Sequence, residues 1–430
     1  MHKLSKLFTL IPLLGMLTGC ASNDPSPANQ RKFNRLTDVE YNTLDDVVYY
    51  GEGQGRNCPS TGNVNIFVVP VQFADFPADE IGKYYNGETV GNRYAKRHLE
   101  GAEERAGRGK EAAKEDIRKV YFGDANETQW HSLRSYYLEA SYGRLAFDGL
   151  VADWYDVYTD FETQEIVTAA EWANASSAAA LANFILKDYT DETVKKYHEF
   201  LNPDGTFMFN SAKEFLQYFD SNEDGYFDLI EIVYSAPFYA ATYDDKNKGT
   251  PIDNDKFWAY CGGAGRYATG RKDEPVLNKY AFQSYYTFVE GGLWYDKTDE
   301  TGQTREVWRS WTCEEICDGT MKVDAHTVTH ETGHGLGIPD YYDYNNSYNP
   351  AGKVDMMDHN IGDHNSHSKA LYGWVEPIIV TGPTQVTIRS FVETGDCIYV
   401  PYRGYFNDHK HEGYTFHTEY LAIELYPNWR

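Results

Sequence analysis

Apolar and polar positions separate along the chain into blocks that predict a series of elements. Val64-Asn65-Ile66-Phe67-Val68-Val69-Pro70-Val71 is rich in β-branched residues and predicts the first strand of the domain. Arg97 to Val120 is charged and alanine-bearing, the pattern of a solvated surface helix. Ser135 to Leu145 reads as a helix ending at Gly143, and a strand follows through Phe147 and Val151. In Glu165 to Lys187, Ile166, Ala169, Ala173, Leu181 and Ile185 fall near one stripe, which predicts a single helix. Asp228 to Tyr234 alternates with β-branched residues and reads as a strand. The alternation of strands and helices before residue 235 predicts an α/β upper half. Residues 21–60 are different: Ser, Asn, Pro, Asp and Gly dominate, as in a tether or the remnant of a pro-segment. The domain is therefore expected over residues 61–430.

The N-terminus carries an export pattern. Lys3 and Lys6 precede the apolar run Leu7 to Leu17, and the run ends in Leu17-Thr18-Gly19-Cys20. A basic start, a short apolar core and small residues before a cut describe a secretory signal over residues 1–20, too short to span a membrane. A cysteine directly after Leu-Thr-Gly resembles the bacterial lipobox. Cys20 is then acylated, becomes the mature N-terminus and anchors the protein on a membrane. The alternative is an ordinary signal with an incidental cysteine. Ala21, in place of an aspartate, fits passage to an outer membrane. The expectation is an exported lipoprotein facing outside the cytoplasm.

Composition narrows the partners. A hydrophobic share of 41% suffices for a core, and a formal charge of −26 argues against nucleic acid or anionic lipid as partner. The 36 tyrosines suit apolar clefts that also need hydrogen bonds. With Cys20 acylated, Cys58, Cys261, Cys313, Cys317 and Cys397 remain, so at least one is unpaired within the monomer. Cys313 and Cys317 read as a disulfide or two free thiols, because no second pair at metal-site spacing follows. Cys58 reads as structural rather than as a cap on a latent metal site.

The strongest chemical signal is His330-Glu331-Thr332-Gly333-His334-Gly335-Leu336-Gly337-Ile338-Pro339-Asp340. His330 and His334 stand one helical turn apart, so both imidazoles can face one ion. A catalytic zinc takes three protein ligands and leaves a position open for water. Asp340, beyond the turn that Gly337 permits, can return a short carboxylate as the third ligand. Glu331, beside the first ligand, is the expected general base and proton carrier. His326 also falls one turn before His330, and reads as a packed or supporting histidine. A second pattern, Asp220-Ser221-Asn222-Glu223-Asp224-Gly225-Tyr226-Phe227-Asp228-Leu229-Ile230-Glu231, matches a calcium-binding loop. Asp220, Asn222 and Asp224 supply oxygens at alternate positions, Tyr226 its carbonyl, and Asp228 and Glu231 further carboxylates. If a strand begins at Asp228, Glu231 points away and a smaller site remains. The alternative is an acidic, solvated turn.

His330 to Asp343 (HETGHGLGIPDYYD) resembles the zinc motif of the immune-inhibitor-A family of secreted metallopeptidases, a branch of the metzincins. Asp355-Met356-Met357-Asp358 resembles the metzincin methionine turn, with Met357 in the methionine position. Ser368 to Trp374 is similar to the family's Ser-Lys-x-x-x-Gly-Trp segment, Ser135 to Gly143 to its tyrosine-rich helix, and Phe67 to Asp75 to its first strand. The family often has tryptophan before the Asp of the methionine turn, where this chain has Val354. The resemblance implies an α+β, metzincin-like fold with a twisted sheet, an active-site helix and a methionine turn. It also implies zinc, a calcium loop, protein or peptide substrates and extracellular action. The reading is a zinc metalloendopeptidase. The alternatives are an inactive surface-anchored binding protein, or a zinc hydrolase of small or cell-wall peptides. The strand-like run Tyr420 to Leu425 so near Arg430 is expected of a fragment of a longer protein.

Overall fold

The computed structural model describes residues 58–83, 106–158, 160, 162–195, 200–202, 204–237, 257–264, 274–298, 302–344, 351–380, 382–401 and 420–426. The signal, Cys20 and the expected tether before Cys58 lie outside these residues. The first part of the chain runs β1 (Gly62–Gln72), α1 (Lys110–Phe122), α2 (Leu133–Ala140), β2 (Leu145–Val151), β3 (Tyr155–Asp156), α3 (Ala169–Ala175), α4 (Ala178–Asp188), α5 (Ala212–Tyr218), β4 (Tyr226–Phe227) and β5 (Ile230–Tyr234). Next come β6 (Tyr260–Gly263), β7 (Val276–Leu277), β8 (Lys279–Ser284), β9 (Gly292–Thr298), β10 (Thr304–Ser310), α6 (Cys313–Asp318) and α7 (His326–Gly335). The last part holds α8 (Met356–His359), α9 (Ser366–Leu371), β11 (Ile378–Ile379), α10 (Phe391–Thr394), β12 (Cys397–Pro401) and β13 (Tyr420–Glu424). The architecture is mixed α/β, with ten α-helices and several sheets among the described residues, and is compatible with the α+β class.

The main sheet has six strands in the order β2-β1-β5-β8-β6, with β3 also paired to β1. All of its pairings are parallel except the last, where β6 runs antiparallel to β8. Successive side chains of a strand point to opposite faces, so β1 feeds two cores at once. Val64, Ile66 and Val68 pack with Ile117, Tyr137 and Val328 on one face. Phe67, Val69 and Val71 pack with Trp172, Leu181 and Phe215 on the other. Pro70 cannot donate to a ladder, yet sits inside this central strand. Val68 O accepts from Ala152 N, so Pro70 N faces the same side, in the gap between the pairings Val68↔Val151 and Val71↔Tyr155. The missing donor falls where no strand partner stands. A satellite core of Ala370, Val375, Phe391, Cys397 and Tyr399 lies under the small sheet β11-β12-β13.

Three expectations are corrected. The helix read as solvated is α1, whose Ala113, Ile117, Val120 and Tyr121 are fully buried. Charged residues between these positions mask an apolar stripe at helical spacing. The single helix expected over Glu165 to Lys187 is two, because Ser177 Oγ accepts from Ala180 N and starts a new helix, while Ile166 stays exposed. The domain also begins before residue 61. Cys58 is buried with its amide donating to Gly335 O at 3.0 Å, and Trp374 Nε1 donates to Ser60 O at 2.6 Å.

Candidate metal centre

Helix α7 carries His330, Glu331 and His334. Ala325 occupies the cap position ahead of it, and Asp324 Oδ1 accepts from His326 N at 2.8 Å. At the other end Ile338 N donates to Gly333 O and Gly337 N to His334 O, with φ of 107° at Gly337. This glycine-dependent stop satisfies the last carbonyls of the helix, and reverses the chain. Asp340 returns to the imidazoles, its Oδ1 lying 2.9 Å from His330 Nε2 and 3.2 Å from His334 Nε2. Among the described residues, these three are the one group of His, Cys, Asp or Glu side chains whose ligand atoms converge, all within 4.8 Å of one another.

The surrounding bonds settle what the three donors offer. His330 Nδ1 donates to Met356 O at 2.8 Å and His334 Nδ1 to Ile338 O at 2.6 Å. A carbonyl only accepts, so each neutral ring carries its proton on Nδ1 and turns the Nε2 lone pair toward Asp340. Two imidazole lone pairs and a carboxylate oxygen facing one point call for a cation between them. Burial pushes Glu331 up against the opposing pull of His334 and His330. Glu331 is 6% exposed, and its Oε2 is buried with no hydrogen-bond partner. The donor set and this orphaned oxygen fit a zinc ion with a water beside it.

Packing beneath the helix explains its glycines. A Cβ at Gly333 would stand 2.5 Å from Met357 Sδ, so a larger residue there would force the buried methionine under α7 to shift. Tyr137 OH donates to Thr329 O at 2.7 Å and Tyr372 OH to Gly333 O at 3.0 Å, tying two of the expected family segments to the same helix. His330, Glu331, His334 and Asp340 line a cleft of about 730 Å³, together with β6 and with Pro339, Tyr342 and Tyr344. Tyr344 OH donates to Asp340 Oδ2, and the Tyr342 ring stacks near His330. Neither tyrosine is singled out by the sequence reading, although both follow Asp340 at alternate positions.

The acidic loop is only partly gathered. Asp220 Oδ1 and Oδ2 accept from Asp224 N and Gly225 N at 2.9 Å each, Asp224 Oδ1 from Tyr226 N at 2.9 Å, and Asn222 Nδ2 donates to Asp224 Oδ2 at 3.1 Å. Asp228 Oδ2 accepts from Ser221 N, and burial pushes its carboxyl up to about 7. Glu231 is not part of this loop. It lies in β5, fully buried, and takes hydrogen bonds from Thr332, Tyr121 and Gln283 in the main core. The strand pairing of β5 between β1 and β8 turns its side chain away from the loop and toward α7. His326 stacks on Trp130 at 4.1 Å and bonds Asp324, outside the metal group. Among the described residues Cys58, Cys261, Cys313, Cys317 and Cys397 form no disulfide, so none joins Cys313 and Cys317.

No model of a known protein family matches the chain, and no curated protein matches it either.

Proposed function

We propose that the chain is a zinc-dependent endopeptidase of metzincin-like fold, the class implied by its resemblance to the immune-inhibitor-A family. The observation that carries this reading is the convergence of His330, His334 and Asp340 beside the unpartnered oxygen of Glu331, on the floor of an open cleft. Two further features support it. The cleft is bordered by β6, the antiparallel outer strand of the main sheet, and an outer strand offers backbone groups to an extended peptide. Met357 under the metal helix also fits the role of a methionine turn.

His330 and His334 would hold the ion through Nε2 and Asp340 through its carboxylate, leaving room for a further ligand. Bound zinc supplies Lewis acidity, which makes water acidic enough to ionise near neutral pH and polarises a substrate carbonyl. Glu331 takes the proton of the attacking water on its free oxygen and passes it to the leaving amine. Burial raises its proton affinity, which suits a group that must accept and then release a proton. The carbonyls of Met356 and Ile338 keep both rings in the ligating tautomer, and Tyr344 OH orients Asp340. The same reading carries acylation at Cys20, a membrane anchor facing outside the cytoplasm, and a calcium ion on the Asp220, Asn222 and Asp224 loop.

The test is digestion of casein or gelatin by purified protein, with zinc content measured beside turnover. A zinc chelator should abolish hydrolysis. Glu331→Gln should keep its zinc and lose about a hundred- to ten-thousand-fold in rate, whereas His330→Ala, His334→Ala and Asp340→Ala should lose the metal itself. A Glu331→Gln protein that digests casein like the wild type overturns the reading. Full zinc and full activity in Asp340→Ala would remove Asp340 from the ligand set.

A further inference from the structure

Hairpin β9-β10 leaves most of its side chains in water. Trp294 to Thr298 are exposed along β9, as are Thr304, Arg305, Glu306 and Trp308 in β10. A two-stranded ribbon is marginally stable on its own, so its cross-strand pairs would be expected to favour one another. Several do not. The register sets Trp294 opposite Trp308, Asp296 opposite Glu306 and Thr298 opposite Thr304 on one face, and Lys297 opposite Arg305 on the other. Like charges directly opposite each other destabilise an antiparallel pair, and each face holds one such pair. None of these four charged side chains is ion-paired with a described residue.

The acidic face has a specific layout. Its indoles meet at 5.6 Å with an interplanar angle of 62°, and remain 61% and 45% exposed. One ladder step away, about 6.8 Å along the strands, stand the carboxylates of Asp296 and Glu306. Indole faces attract ammonium and guanidinium groups, and the carboxylate pair needs positive charge to relieve its repulsion. Alternate side chains of an extended peptide have the same step of about 6.8 Å. One basic side chain can therefore meet the carboxylates while the next on that face lies against the indoles. The opposite face repels such a ligand, since it carries Lys297, Arg305 and an Arg309 whose guanidinium lies over Tyr295 and pairs with Glu315.

We propose that the Trp294–Trp308 face of this hairpin docks an extended polypeptide segment carrying lysine or arginine at alternate positions. The chain's overall charge of −26 steers such a segment toward the protein, and the hairpin supplies the specific contact. None of the hairpin residues lines the metal cleft, so the inference stands apart from the peptidase reading.

The experiment titrates a fluorescently labelled peptide of alternating arginine and serine, about ten residues long, with the full chain carrying Glu331→Gln so that no peptide is consumed. Anisotropy gives Kd. Trp294→Ala/Trp308→Ala and, separately, Asp296→Asn/Glu306→Gln should each weaken binding about tenfold. Lys297→Gln/Arg305→Gln should bind at least as tightly as the parent. Glu162→Gln/Glu165→Gln removes the same charge from exposed residues elsewhere, and should change Kd by less than about twofold, as expected for screened charges distant from the site. The amide substitutions preserve shape, so their result does not depend on folding, and circular dichroism checks it. Hairpin variants that bind like the parent overturn the proposal, as does an equal loss in the Glu162/Glu165 control. A dimer of the parent that dissociates on Trp294→Ala/Trp308→Ala would also overturn it, by making a second copy the occupant.

Discussion

Replacing Glu231 with glutamine should stabilise the folded protein at neutral pH, although the side chain has three hydrogen-bond partners. Thr332 Oγ1 and Tyr121 OH each donate to its carboxyl at 3.1 Å, and Gln283 Nε2 donates at 3.3 Å. None of these partners is a cation. Burial therefore dominates and pushes the pKa up to about 8, against the bonds from Thr332 and Tyr121 and together with the nearby Glu331 charge. In the unfolded chain the group titrates near about 4.3. Between these values the unfolded state has lost the proton and the folded state keeps it, so stability falls as pH rises and levels off above the folded pKa. At pH 7 this amounts to roughly 3 kcal/mol relative to acid conditions. Glutamine does not ionise, its carbonyl oxygen can keep the bonds from Tyr121 and Gln283, and its amide can occupy the position beside Thr332 once that hydroxyl turns from donor to acceptor. Allowing about 1 kcal/mol for an imperfect hydrogen-bond fit, the variant should gain about 1–3 kcal/mol at pH 7. Urea denaturation of both proteins from pH 5 to 9, in chelator, measures the difference. The curves should converge toward pH 5 and separate as pH rises. A variant less stable than wild type across the whole range would refute the neutral, buried carboxyl. A wild-type advantage that appears only with calcium would return Glu231 to the acidic loop.

Gly333→Ala places a methyl group 2.5 Å from Met357 Sδ. It should destabilise the protein by about 1–3 kcal/mol despite alanine's higher helix propensity, and Met357→Ala should relieve part of that loss in a double-mutant cycle. Calcium should raise the melting temperature of the wild type in proportion to the logarithm of free ion above Kd, and Asp220→Ala or Asp224→Ala should remove the increment; identical melting in calcium and in chelator would leave the loop a solvated turn. Cys20→Ala should abolish acyl labelling and release the protein from the membrane fraction. Unchanged fractionation with unchanged labelling would rule out the anchor.

The convergence of His330, His334 and Asp340 was legible in the sequence because its geometry is almost wholly local. One helical turn sets His330 against His334, and a glycine stop returns Asp340 within a few residues, so short-range backbone rules suffice to bring the donors together. The strand at Val64 to Val71 was legible for a similar reason, since a β-branched run marks itself. Which partners flank it was not, because pairing with β2, β3 and β5 joins residues far apart in the chain. Charged residues on the exposed face of α1 concealed the stripe that packs into the core. Ser177 broke an apolar pattern that is continuous in composition. Glu231 shows the division most plainly. Its position in the motif matches a calcium ligand, and local spacing alone cannot distinguish that from a strand residue. Pairing of β5 with β1 on one side and β8 on the other decides the matter, by committing Glu231 to the sheet face that packs under Thr332 of α7. What the sequence determined by itself was which side chains one turn of backbone brings together; what only the tertiary structure decided was which face each strand residue turns to, because that depends on contacts with segments distant in the chain.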